Sequence, residues 1–324
     1  MKVVTGSVLG GVASIARSLG SIRQHKASLI QWAAVAGVVL FAISTPGFFS
    51  ATSIRSLLTT VSFIGCVAVG MTFITLSGNI MSFSIGATMS ATTIVFMMSL
   101  SLGLGPALIL AFFFCAVVNG IQGWVIGFFR ANPLIISMAA YALIIGGAIY
   151  ITGGRGIYPM TDETEVLKGN LGPVPGPLAA FLVAVIVGQC ILSFTRFGRN
   201  IYLVGTNPRA AKAAGIEPWR TVMWAYVAAG LFTAMSAVLI AARYSSGDME
   251  HGIGYEYRAI SAVLVGGTAI QGGEGSVLRT LAGTFFIAVM QGLLILRGFG
   301  IEMQYLLIGL IVLAVIMLQW RGRK

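Results

Sequence analysis

Apolar runs of about 20 residues, the length at which a helix crosses the hydrocarbon core of a bilayer, recur from residue 28 to residue 320. Nothing else constrains the fold so tightly, because it makes lipid the solvent for most of the chain. Charge agrees, since only 9% of the residues are charged, against about 25% in an ordinary soluble domain. Ten segments emerge, at roughly 28–47, 54–75, 80–101, 105–128, 133–152, 177–195, 219–242, 256–270, 278–297 and 302–320. The third and eighth border glycine-rich breaks. The fold class is all-α: a polytopic membrane protein with about ten transmembrane helices, some broken or re-entrant. Residues 1–27 mix small, apolar and basic residues and read as a cytoplasmic amino-terminal tail. The first apolar run begins near Ser28 after that polar lead, with no small-residue cleavage site, so no cleaved signal peptide is expected.

Charge placement tests the count. With the amino terminus inside, the inner segments collect Lys2, Arg17, Arg23, Lys26, Arg130, Arg196, Arg199, Arg209, Lys212, Arg220, Arg279, Arg321, Arg323 and Lys324. The outer segments keep Arg55, Arg155, Lys168, Arg243, Arg258 and Arg297. That bias follows the positive-inside rule. An odd number of spans would put the basic carboxyl terminus outside, so ten is favoured and both termini are expected in the cytoplasm. The formal charge of +11 does not point to nucleic acid, because the cations sit at span ends rather than along one stripe.

The chain offers little chemistry. Cys66, Cys115 and Cys190 lie inside apolar runs and read as packed small side chains. His25 and His251 are far apart and lack metal-ligand spacing. No nucleophile–base set or phosphate-binding loop is present, so neither an enzyme nor a cofactor is expected. No Asp or Glu precedes Asp162, and Glu256, Glu274 and Glu302 fall near span ends. Ion-coupled carriers commonly place carboxylates within the membrane, so energy for uphill transport is expected from another chain.

Two stretches interrupt the apolar pattern, residues 76–93 and 265–283. Each reads as span, glycine-rich break, span, a hint of an internal repeat. Non-helical backbone survives at membrane depth only where protein or a water-filled cavity satisfies it, and broken helices of this kind line transport paths. The candidate pathway residues are Ser77, Asn79, Ser82 and Ser84 in the first break, and Gly266, Gly267, Thr268, Gly272 and Gly273 in the second. The alternative for any one glycine is close helix packing.

Residues 204–220, VGTNPRAAKAAGIEPWR, form a basic interruption between two spans. Asn207 suits an N-cap, Pro208 the first helical position and Gly215 a left-handed C-terminal stop. That leaves about two turns, with Arg209 and Lys212 free to meet a partner or lipid headgroups.

Residues 195–216 resemble the cytoplasmic loop of permeases in the ribose/xylose/arabinose/galactose family of ABC importers. The resemblance rests on Thr195, Phe197, Gly198, Arg199, Gly205, Asn207, Ala210, Ala211, Gly215 and Ile216. A second match is Gly254, Tyr255, Glu256, Ala259, Ile260, Ala262, Gly266, Gly267, Thr268, Gly272, Gly273, Gly275 and Ser276. One departure stands out: Ser82 occupies a position where the family often carries Asp, removing a charge from a pathway region. The resemblance implies that residues 28–324 are one transmembrane permease domain. It implies inward transport of a sugar or sugar-like solute by alternating access, with Gly205, Asn207, Arg209, Ala210, Ala211, Lys212, Gly215 and Ile216 as the ATPase-coupling segment. Implied partners are a cytoplasmic ABC ATPase, a periplasmic or surface-tethered sugar-binding protein received by 153–165 and 244–257, and a second permease subunit, identical or related. Localisation would be the bacterial inner membrane. The rival readings are a secondary transporter or facilitator, which would need no ATPase, and a membrane enzyme or structural subunit.

Overall fold

The computed structural model describes residues 41–79, 81–159, 164–171 and 174–322. The tail 1–27 and most of the first expected span lie outside these residues. Among the described residues seven helices are long and apolar enough to cross a membrane. They are α1 (Ala51–Leu76), α2 (Ile85–Ser99, prolonged by a 3-10 turn to Leu102), α3 (Leu104–Phe129), α4 (Pro133–Thr152), α6 (Gly176–Phe194), α9 (Pro218–Tyr244) and α11 (Val277–Leu296). Each coincides with an expected span. The tenth expected span falls in α12 (Ile301–Gly322). The eighth becomes α10 (Tyr255–Val265), a helix of only 11 residues.

Burial sorts these helices. In α1 and α9, 78% and 83% of the most apolar window is buried, against 11% in α4 and 28% in α6. The first pair is therefore the core, apolar all round as a fully enclosed helix must be. The outer helices turn Ile, Leu, Val and Phe side chains outward, as Leu182, Val183, Ile186 and Val187 do on α6.

Lipid tails are as apolar as leucine, so these helices are held together by close packing and polar contacts. On α3, a Cβ on Gly123 would lie 2.6 Å from Tyr226 Cβ of α9, and one on Gly127 2.8 Å from the Trp219 carbonyl. Gly70 of α1 approaches the Ala229 backbone of α9 in the same way. The Ser236 hydroxyl donates to the Phe63 carbonyl at 2.8 Å, and the Thr72 and Thr280 hydroxyls pair at 2.7 Å between α1 and α11.

The connection after α4 carries a four-residue helix, α5 (Glu165–Lys168), and a two-residue hairpin in which β1 (Asn170–Leu171) pairs antiparallel with β2 (Val174–Pro175). Ile157 forms an isolated bridge with Gly247, so the connections after α4 and α9 meet at one end of the bundle. The helix α7 (Arg196–Thr206) and the short α8 (Pro208–Ala213) lie at the other end, at the opposite terminus of α9.

Candidate functional site

The basic segment folds as its sequence dictates. The Asn207 side chain accepts from the Arg209 and Ala210 amides, both at 3.1 Å, and caps α8. At the far end the Gly215 amide donates to the Lys212 carbonyl and the Ile216 amide to the Ala211 carbonyl, both at 3.0 Å. With Gly215 at φ +80°, this is a Schellman stop. Arg209, Ala210 and Lys212 are exposed, while Ala211 is buried and Ile216 packs against the core. One face of α8 is free and the other is docked.

What the end of α7, leading into α8, packs against was not legible in the sequence. Gly205, Leu76–Gly78 at the end of α1, and Gln271–Gly273 after α10 pack backbone to backbone. A Cβ on Gly205 would collide with the Leu76 carbonyl and come within 2.6 Å of the Gly273 amide. That same carbonyl accepts the Gly273 amide at 3.0 Å, and the Tyr202 hydroxyl donates to the Gly275 carbonyl at 2.9 Å. The coupling segment and both breaks thus form one glycine junction. Beside it a groove of about 1150 Å³ is lined by Ser77, Gly78 and Asn79, by Arg130, by Asn207, Arg209 and Lys212, and by Glu217 and Trp219.

The two breaks are complementary halves of neighbouring spans. After α9 the chain turns inward along α2. The Thr93 hydroxyl donates to the Asp248 carbonyl at 3.3 Å, the Ser90 hydroxyl to the Met249 carbonyl at 2.7 Å, and the Gly252 amide to Ser90 Oγ at 2.9 Å. Helix α10 then continues in the same direction. The non-helical residues 77–79 and 81–84 run beside it, with Phe83 against Tyr257 (ring centroids 6.2 Å apart) and Gly78 against Gln271–Gly272. So the helical half of each span lies beside the irregular half of the other. The amino termini of α2 and α10 meet where Gly86 packs against Gly252 and Glu256.

The candidate pathway residues divide among four places. Ser77 and Asn79 hydrogen-bond to each other at 2.9 Å and line the groove. Ser82 and Ser84 are fully buried, their hydroxyls 2.9 Å apart, and Ser84 donates to Gln122 Oε1 of α3. Gly266, Gly267 and Thr268 turn the chain from α10 toward α11, with Gly266 against the Arg279 backbone. Gly272 and Gly273 belong to the junction.

Glu256 refines a sequence expectation. It lies in the first turn of α10, as expected of a span end, but is only 6% exposed because two helix termini meet there. The outer loop 244–257 likewise turns inward after Gly247. Sequence reasoning missed Gln122, one of few polar side chains in its apolar run, and Phe83, which packs edge-on against Tyr257. In the described family departure, the serine at 82 bonds within the protein.

A multi-pass helical bundle, with two broken spans meeting terminus to terminus and a capped basic helix that follows directly on a glycine contact with both breaks, defines a membrane permease. The chain belongs to the family described as the permease component of branched-chain amino acid transport systems, whose model matches residues 53–316. Curated relatives include the L-arabinose transport system permease protein AraH of Escherichia coli K12, 30% identical over 305 residues, covering 92% of this chain and 91% of the relative. The ribose import permease protein RbsC of Bacillus subtilis 168 is 30% identical over 286 residues, covering 87% and 88%. The autoinducer 2 import system permease protein LsrD of Escherichia coli O9:H4 is 30% identical over 264 residues, covering 78% and 79%. No solved structure matches the chain.

Proposed function

We propose that this chain is the permease subunit of an ATP-driven importer for a sugar or sugar-like solute. It would sit in the inner membrane with the α8 end in the cytoplasm. The relatives named for arabinose, ribose and autoinducer 2 support the substrate class. The excess of Lys and Arg at the α8 end supports the orientation.

The observation that carries the reading is α8 itself. Its caps hold Arg209, Ala210 and Lys212 outward, Ala211 and Ile216 seat its other face on the core, and Gly205, near the end of α7 just before it, belongs to the glycine junction. A push on α8 by a cytoplasmic ATPase would therefore move the ends of both broken spans together. Alternating access needs only that ATP favour one arrangement of this assembly over the other. A solute-binding protein would dock on the opposite end, around the paired connections at Ile157 and Gly247. A second permease, identical or related, would complete the path.

The test adds bulk to the exposed face of α8. Ala211 is turned inward, so Ala210 is the position that separates docking from folding. We expect Ala210→Trp to leave thermal unfolding in detergent unchanged and to weaken ATPase association by about tenfold or more, as loss of a central interface contact does. Uptake falls with it. A variant that assembles and transports normally overturns the coupling role.

A further inference from the structure

We infer that the groove beside α8 holds the headgroup of an anionic phospholipid, with Arg130, Arg209 and Lys212 around the phosphate and the outer face of α3 against the acyl chains. The inference goes beyond the proposed import function and stands whether or not a sugar is the cargo.

Depth comes first. Helix α3 has 26 residues, about 39 Å at about 1.5 Å per residue, against a hydrocarbon core about 30 Å thick. Even at a tilt of about 20° it outruns that core. Its carboxyl end carries the aromatic residues that prefer the headgroup layer. Trp124 stacks on Phe128 at a centroid distance of 5.8 Å, and Phe128 meets Trp219 of α9 edge to face at 5.9 Å. Phe128 and Trp219 also line the groove, so the groove lies at headgroup level.

Charge defines the occupant. Glu217 is the acid that lines the groove, and it pairs with Arg220 at 2.7 Å. Arg130, Arg209 and Lys212 line it too, are exposed, and form no ion pair among the described residues. Three cations from two parts of the fold thus border one cavity without a counter-charge. A phosphate suits them, since guanidinium groups offer it paired N–H donors and an ammonium a point charge.

The surroundings assign that phosphate to a lipid. Ile109, Phe113, Val117, Ile121, Trp124 and Phe128 recur at helical spacing along one face of α3, and all are exposed. Phe128 ends this stripe and begins the groove. An apolar track therefore runs directly into a cationic cavity, the order in which a phospholipid presents its own parts. The amino-terminal end of the stripe has no cation of its own, because the chain carries no charged residue between Arg55 and Arg130. A soluble phosphate or an acidic protein segment would use the cavity and leave the stripe bare. A seated headgroup would also tie α8, through Arg209 and Lys212, to the end of α3.

Lipid retention tests the site. The full chain in a neutral detergent receives equal amounts of phosphatidylglycerol and phosphatidylcholine with identical acyl chains, and native mass spectrometry weighs what it keeps. One phosphatidylglycerol is expected to be retained about tenfold over phosphatidylcholine, the scale set by a few cations near one anionic headgroup. Arg130→Gln combined with Lys212→Gln is expected to bring the ratio to within about twofold of unity. Arg155→Gln combined with Arg243→Gln removes the same charge away from the groove and is expected to keep the preference. A groove variant that keeps the preference overturns the inference, and so does a control that loses it equally. Should the groove pair fail to fold, Lys212→Gln alone decides, with a fall of about threefold expected and an unchanged ratio overturning the inference. Excess glycerol 3-phosphate is expected to leave the lipid in place; displacement would assign the groove to a free phosphate. Added ATPase is likewise expected to bind with the lipid retained; loss of the lipid would assign the groove to a segment of the ATPase. An ATPase that never binds counts against the proposed function and leaves the lipid ratio to decide the site.

Discussion

At Gly205 one hydrogen atom keeps three chain segments together. A methyl group there meets the Leu76 carbonyl and the Gly273 amide, both backbone and neither free to swing away. Gly205→Ala is therefore expected to destabilise by about 1–3 kcal/mol, the usual cost of overpacking, read as a lowered unfolding temperature in detergent. Gly147→Ala on α4 is the control, since nothing lies within 4 Å of a Cβ there. Replacing Gly by Ala in an open helix position gains roughly 0.5–1 kcal/mol. Asn207→Ala removes a cap whose loss costs about 1 kcal/mol and is expected to fall between the two. At this scale the sequence was half legible. Asn207, Pro208 and Gly215 announce a capped helix through local chemistry alone. Gly205 announces only that something comes close, and its partners are about 70 and 130 residues away in the chain, where no local pattern reaches.

Among the elements, the eighth apolar segment shows why broken spans resist reading. Residues 256–270 look like one span because no charge follows Val265 until Glu274, although the helix stops at Val265, where the glycine-rich break begins. The missing half is supplied by 245–254, whose polar residues read as an outer loop but find partners in Ser90 and Thr93 of α2. The paired halves therefore need close contact at their shared level. Gly86→Ala would drive a methyl into Glu256 and to within 2.6 Å of the Gly252 carbonyl. It is expected to abolish uptake and to lower stability more than Gly205→Ala, because both broken spans shift. Gln122→Leu tests the other flank. It removes one of two partners of the buried Ser84 hydroxyl, leaving Ser82 Oγ, and loss of one such hydrogen bond costs about 0.5–1.5 kcal/mol. The serines at 82 and 84 were legible as a polar break in an apolar run. Their direction was not, because alternation in a non-helical stretch follows from what each neighbour offers.

For the whole molecule, the order of the spans was readable, and charge gives an expected sidedness. The structure adds a geometric constraint that charge counting lacks: α9 joins the two ends. Its first residues stand beside the groove with Arg130, Arg209 and Lys212, and its last lead to the Gly247 bridge with Ile157. Whichever side holds one set excludes the other, so a single pair of labels orients the whole bundle. In a Cys190→Ala background, Lys212→Cys and Tyr158→Cys place thiols on exposed side chains at opposite ends. A membrane-impermeant maleimide applied to intact cells with a permeabilised outer envelope is expected to label Tyr158→Cys alone. Inverted vesicles are expected to label Lys212→Cys alone. The reverse pattern would put α8 beyond the reach of a cytoplasmic ATPase and end the coupling assignment. Labelling of both thiols from one side would contradict the separation of the two ends by α9.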